Sequence, residues 1–189
     1  MDRDHLYSLS LAMEPPVTLW IQDTSVLADD ETRALATVLS TDEQARAARF
    51  HFAEDRRDYI AAHALTRRAL AAVDGRGGSD LTFATAPHGK PYLIGASGQA
   101  SPWGFSLSHT RGLVVCAVGP GDIGVDAERV DAAVDVDVLV PQVCSAAERS
   151  YLSMLGPGYR RARFFLARHV QHLAYAAFLL PMAAKMGAV

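Results

Sequence analysis

Short apolar and alternating runs fill the middle of the chain, and longer helical patterns lie on either side of them. After a Pro-Pro break, Val17-Thr18-Leu19-Trp20-Ile21 has the β-branched and aromatic content of a strand. Ser40-Thr41-Asp42-Glu43 is a capping box. The Ser40 hydroxyl can accept from an orphan helix amide while Glu43 reaches back. The helical stretch that it opens extends, with room for one break, towards Val73, and Gly75-Arg76-Gly77-Gly78 ends it. Tyr59, Ile60, His63, Ala64 and Leu70 are expected on its inner side, with Arg56, Arg57 and Arg67 elsewhere.

A series of short strands follows. Leu81–Ala84 precedes the turn His88-Gly89-Lys90-Pro91, and Tyr92–Ile94 comes after it. Phe105–Ser108 alternates apolar with polar, as a half-buried strand does. Leu113–Val118 is continuously apolar, and Ile123–Asp126 reads as one more strand leading out to Glu128. Ser145-Ala146-Ala147-Glu148 is a second capping box, opening a helix through Leu155 that Gly156-Pro157-Gly158 stops. A final helix is expected from Tyr159 to about Leu180. This order of elements predicts an α+β chain.

Composition narrows the function classes. The 189 residues are 50% hydrophobic, enough to bury a core as one domain or as two small halves. A net charge of −3 gives no global basic field for nucleic acid. The charge is nonetheless uneven. Arg46, Arg49, Arg56, Arg57, Arg67 and Arg68 crowd the first half, and acidic residues dominate from Asp122 to Asp137. Cys116 reads as a small core residue, and neither it nor Cys144 belongs to a metal pattern. A reducing, cytoplasmic setting is expected. Residues 1–15 read as a loose leader, and the apolar run Leu173–Ala184, broken by Pro181, is too short to span a bilayer.

Four groups could carry chemistry. Lys90, its turn stiffened by Pro91, suits an anionic phosphate. Ser108 and His109, where a strand ends, can donate to phosphate oxygens. Asp126 and Glu128, two apart, would present two carboxylates together. Two like charges that close repel unless a cation sits between them, and oxygen ligands suit magnesium beside substrate phosphates. The arginines from Arg46 to Arg57 could face a nucleotide phosphate. Each group alone also has an ordinary reading: a surface turn, a satisfied strand end, a solvated carboxylate pair, a charged helix face.

Together and in this order, Gly89-Lys90-Pro91, Ser106-Leu107-Ser108-His109 and Gly124-Val125-Asp126-Ala127-Glu128 resemble the larger, surfactin-type 4′-phosphopantetheinyl transferases. The stretch from Arg49 to Tyr59 shares the likeness, which runs from about Trp20 to Phe165. The resemblance implies transfer of phosphopantetheine from coenzyme A to a serine of an acyl or peptidyl carrier protein. It places the chain in fatty-acid, polyketide or nonribosomal-peptide synthesis. It also implies that Lys90, Ser108 and His109 hold coenzyme A phosphates, that Arg46 and Arg57 face its 3′-phosphate end, and that Asp126 and Glu128 hold Mg2+ against the pyrophosphate. Asp126, Glu128 and His109 are then the catalytic set. One cleft is expected to join the acidic pair to Lys90 and His109.

By the same resemblance the fold is two pseudo-repeated α+β halves, the second incomplete. Residues 16–119 form the N-terminal half, 120–165 begin the C-terminal half, and 166–189 are a divergent apolar tail. A cytoplasmic monomer is expected, with no nucleic acid and no membrane as partner.

The last motif of that family, an aromatic followed by x-x-Lys-Glu-Ala, is missing. An ungapped reading puts Arg168 at the aromatic, Gln171 at the lysine and His172 at the glutamate. Glutamine brings no charge to phosphate, and imidazole is a poor ligand for a hard cation. Loss of a general base alone costs about 10² to 10⁴ in rate. Three readings stay open: an active transferase, a non-catalytic relic that binds coenzyme A or a carrier protein, and a helical interaction protein using its apolar tail. The tail itself is read either as the product of truncation or a disrupted frame, or as a divergent helix.

Overall fold

A computed structural model describes residues 6–11, 16–127 and 133–170. The chain divides into two compact units, Met1–Ala127 and Glu128–Val189.

The first unit is built on a four-stranded antiparallel sheet in the order β1-β2-β6-β5. Its strands are β1 (Leu6–Leu11), β2 (Val17–Asp23), β5 (Trp103–Thr110) and β6 (Leu113–Pro120). A hairpin of β3 (Thr82–Thr85) and β4 (Pro91–Ile94) forms a second sheet. β6 is central because it is apolar on both faces, which a strand covered on both sides must be. Residues 6–11, read from sequence within a loose leader, instead pair along their whole length with β2, Leu9 opposite Leu19.

Helices α1 (Asp29–Ala36), α2 (Thr41–Ala47) and α3 (Ala53–Asp74) lie between β2 and β3. The capping box at Ser40 forms as read: Ser40 Oγ accepts from Glu43 N–H, and Glu43 Oε2 accepts from Ser40 N–H. The expected break falls at residues 48–52. α3 ends at Gly75 with φ +81°, the left-handed cap that glycine takes without strain. Its buried face, including Ile60, Ala61, Ala64, Leu65 and Leu70, packs in one core with Phe105, Val114, Cys116 and Val118 of the sheet. Arg67 does not lie on the outer side as expected. It is 3% exposed, with Nε donating to Glu43 at 2.8 Å and Nη1 to the carbonyls of Gly78 and Leu81. A buried guanidinium needs such partners, and α2 and the 3₁₀ turn Gly78–Asp80 supply them.

The second unit, as described, holds α4 (Val136–Val143), α5 (Ala146–Ser153) and α6 (Pro157–Val170). Val136, Cys144, Leu152 and Phe164 form its core. The second capping box, Ser145 with Glu148, forms as read. α5 ends ahead of Gly156-Pro157-Gly158, as read, and Pro157 itself starts α6, where its missing N–H is no loss. Arg160 joins Asp137 at 2.9 Å and donates to the carbonyls of Leu152, at the end of α5, and Leu155, just past it. The α+β class is thus the observed one. No helix among the described residues is long and apolar enough to cross a membrane.

Candidate active site

Strand β5 sends successive side chains to opposite faces. Phe105 and Leu107 join the core under α3, and His109, paired with Val114, shares their side. Ser106 and Ser108, paired with Ala117 and Val115, point the other way. That second face is apolar, carrying Leu19, Leu113, Val115 and Ala117. Residues 123–127 cover it as a strap, with Ile123, Val125 and Ala127 packed on those side chains.

Side-chain hydroxyls hold the strap in place of a backbone ladder. Ser106 Oγ accepts from Val125 N–H at 3.1 Å. Ser108 Oγ accepts from Ala127 N–H at 3.1 Å and donates to Asp126 Oδ1 at 2.8 Å. Asp126 Oδ1 also accepts from Ala127 N–H at 2.9 Å. The segment Ile123–Asp126 is therefore not the strand expected from sequence: its Val125 amide bonds to the Ser106 side chain and it joins no backbone ladder. Gly104 and Gly121 set its approach. A Cβ on Gly104 would lie 1.7 Å from the Gly121 carbonyl oxygen, so the two backbones touch where only glycine fits.

Lys90 reaches the beginning of the same strap. Its ammonium donates to the Ile123 carbonyl at 3.0 Å and to Asp122 Oδ1 at 3.4 Å. Gly89, at φ +84°, turns the chain just before it. Lys90, Tyr92, Gly104, Phe105 and Asp122 line a hollow of about 300 Å³.

His109 lines a different hollow, of about 470 Å³, with Asp55, Asp58, Tyr59, His63 and Arg111. Three rings meet at a tilt along one side of it: Phe50 lies 5.1 Å from Tyr59, and Tyr59 lies 4.2 Å from His63. Burial raises the Tyr59 phenol, and the charge of Arg46 partly offsets this. Behind His63 stands Glu43, whose Oε1 lies 3.0 Å from Nδ1. Burial alone would raise the Glu43 carboxyl. Hydrogen bonds from His63, Arg67 and the Ser40 amide outweigh it and hold the group at about 2. Arg46 is exposed on the last turn of α2, and Arg57 is half-buried on α3 with Nε unpartnered among the described residues.

The structure thus joins Ser108 to Asp126 and Lys90 to the strap, while His109 faces the other side of the sheet. The single cleft expected to join Lys90, His109 and the acidic pair is split, since residues 108 and 109 are strand neighbours. Glu128, Gln171 and His172 lie outside the described residues, as does the side chain of Arg168. As for magnesium, Asp126 fits in kind: it is a half-buried oxygen donor already oriented by a hydroxyl and an amide. Among the described residues no cluster of three or more His, Cys, Asp or Glu side chains could hold a metal alone. Sequence reasoning missed Asp58, the Glu43–Arg67 pair and the roles of His63 and Ser106. Only Ser106 carried a local signal, its spacing of two from Ser108.

Comparison with known proteins bears on this arrangement. A family described as 4′-phosphopantetheinyl transferase, N-terminal, matches residues 28–121. The chain is 32% identical over 138 residues to the 4′-phosphopantetheinyl transferase HetI of Nostoc sp. strain PCC 7120, a match covering 72% of this chain and 58% of that protein. It is 30% identical over 108 residues to a 4′-phosphopantetheinyl transferase of Bacillus subtilis, covering 57% and 46%. The chain therefore spans about half the length of these relatives. A solved structure of a holo-(acyl-carrier-protein) synthase from Bacillus anthracis strain Ames, in complex with CoA (3′,5′-ADP), aligns with TM-score 0.44 at 15% identity. That alignment covers 57% of this chain and 96% of that one, and a likeness this loose carries no argument.

Sheet, helices and strap define an α+β protein in which a strand hydroxyl anchors the Asp126 carboxylate and Lys90 holds the start of the same strap. The sequence matches support the 4′-phosphopantetheinyl transferase superfamily for it.

Proposed function

We propose that the chain is of the larger, surfactin-type class and transfers the 4′-phosphopantetheine group from coenzyme A to a serine of an acyl or peptidyl carrier protein. The observation that carries this reading is the bond from Ser108 to Asp126, which seats a carboxylate on a strap whose start is held by Lys90. Asp126 and Glu128 would hold Mg2+, which when bound neutralises charge on the pyrophosphate. Lys90 has three N–H donors and spends two on Asp122 and Ile123, so one is left for a phosphate oxygen. His109 and Arg111 serve as donors in the hollow lined by Tyr59 and His63, Ser108 holds Asp126 in place, and Arg46 and Arg57 supply positive charge towards the 3′-phosphate. Catalysis is then mainly positioning and charge neutralisation. The protein acts in the cytoplasm as a monomer.

Gln171 and His172 at the expected Lys-Glu positions favour a second reading, a relic that binds coenzyme A or a carrier protein without turnover. One assay separates the two. The chain is incubated with coenzyme A, magnesium and an apo-carrier protein, beside an intact transferase as control. A phosphopantetheine mass gain on the carrier supports transfer. No gain, with coenzyme A binding retained and lost in His109→Ala, supports the relic. Absence of both gain and binding overturns the two readings together.

A further inference from the structure

We infer that Ser106 is a positioning residue for the Asp126 carboxylate, and that β5 sets the aim of the metal-binding strap through it. This rests on the reading of Asp126 as a magnesium ligand. Two hydroxyls on one face of β5, two residues apart, receive two strap amides that are also two residues apart, Val125 by Ser106 and Ala127 by Ser108. Asp126 lies between those two anchored amides. Either hydroxyl alone would leave the strap a pivot, and with both present the peptide plane before Val125 and the plane after Asp126 are held, so Asp126 lies on a span anchored at both ends. The packing of Val125, 7% exposed against the sheet, resists detachment but gives no direction to a peptide plane. Ser108 alone has a double duty, accepting from Ala127 and donating to Asp126 Oδ1, so any tilt of the strap reaches the carboxylate directly.

A merely structural Ser106 would affect melting and leave the ion affinity of the folded protein untouched. The test reads that affinity without turnover. Mn2+ binding to the full chain is measured by water-proton relaxation, with thermal melting recorded alongside. Ser106→Ala is expected to weaken Mn2+ binding roughly 10-fold, at the low end of the range for groups that orient a ligand. Ser106→Cys, close in size but a weak acceptor, behaves the same way and stands in if Ser106→Ala does not fold. Asp126→Asn weakens binding roughly 30-fold or more. If Asp126→Asn loses binding while the folded Ser106 variants bind as the parent does, the positioning role is overturned and the ligand reading stands. If Asp126→Asn binds as the parent does, the ligand reading itself falls.

Discussion

The hydroxyl of Thr24 donates to Oδ1 of Asp58, a carboxylate 8% exposed on α3 and 34 positions away in sequence. The β5–β6 turn joins the same knot, Gly112 N–H approaching Asp58 Oδ2 at 3.5 Å and the Gly112 carbonyl accepting from Thr24 N–H at 2.9 Å. One carboxylate thereby ties the end of β2, the start of α3 and the turn that follows His109. Removing it strands a buried hydroxyl, which costs more than the bond itself contributes. Asp58→Ala is expected to lower unfolding free energy by about 2 to 3 kcal/mol in urea titration. Thr24→Val, which strands one oxygen of the buried carboxylate, should cost about as much.

Acid should weaken the first unit through Glu43. Its carboxyl is held at about 2 in the folded chain against an ordinary value of 4.5. A depressed carboxylate contributes stability that is full above the unfolded value and is lost as pH falls through the folded one. The urea midpoint of the parent should therefore fall between about pH 4.5 and pH 2, by an amount on the order of 2 kcal/mol in stability. Glu43→Gln starts lower at pH 7 and shows a flatter profile over that window. A parent profile as flat as that of Glu43→Gln would remove the ion pair from the account.

Gly104→Ala is a steric test of the strap's approach. The added methyl would overlap the Gly121 carbonyl, backbone that cannot rotate aside. The β5 end or the Pro120–Gly121 turn must shift, at a cost of about 2 to 3 kcal/mol. Thermal melting measures it. Gly156→Ala, where nothing lies within 4 Å of the new atom, is the matched control and should change little.

Cys116 should be inert in the folded protein. Burial pushes its thiol up to about 12, so almost no thiolate forms at neutral pH. Iodoacetamide at pH 8 is expected to leave Cys116 unmodified until urea unfolds the first unit, as read by peptide mass. Labelling before unfolding would show that the core under α3 opens.

Much of the sheet could be read from the chain because β2 and β6 bury their residues in continuous or alternating runs. The helix starts at Ser40 and Ser145 were legible for a local reason, since a capping box is complete within four residues. α1 gave no such sign: it begins after Ala28, whose amide is capped only by Glu31 from inside the helix. α4 hid behind Pro141, which ordinarily argues against a helix. The burial of Arg67 was illegible because its partners come from a different helix and a later turn. The division of the site was legible in principle. Ser108 and His109 adjoin on a strand, and alternation alone separates them.

Because hydroxyls on alternate residues of β5 grip the strap, chain length there matters more than side-chain identity. Deleting one residue between Gly121 and Val125 would carry Asp126 up to the Ser106 anchor and turn its carboxylate to the other side. Substitutions at outward positions leave that count intact. A single insertion or deletion along residues 122–124 is thus costlier than exchanging one outward side chain there.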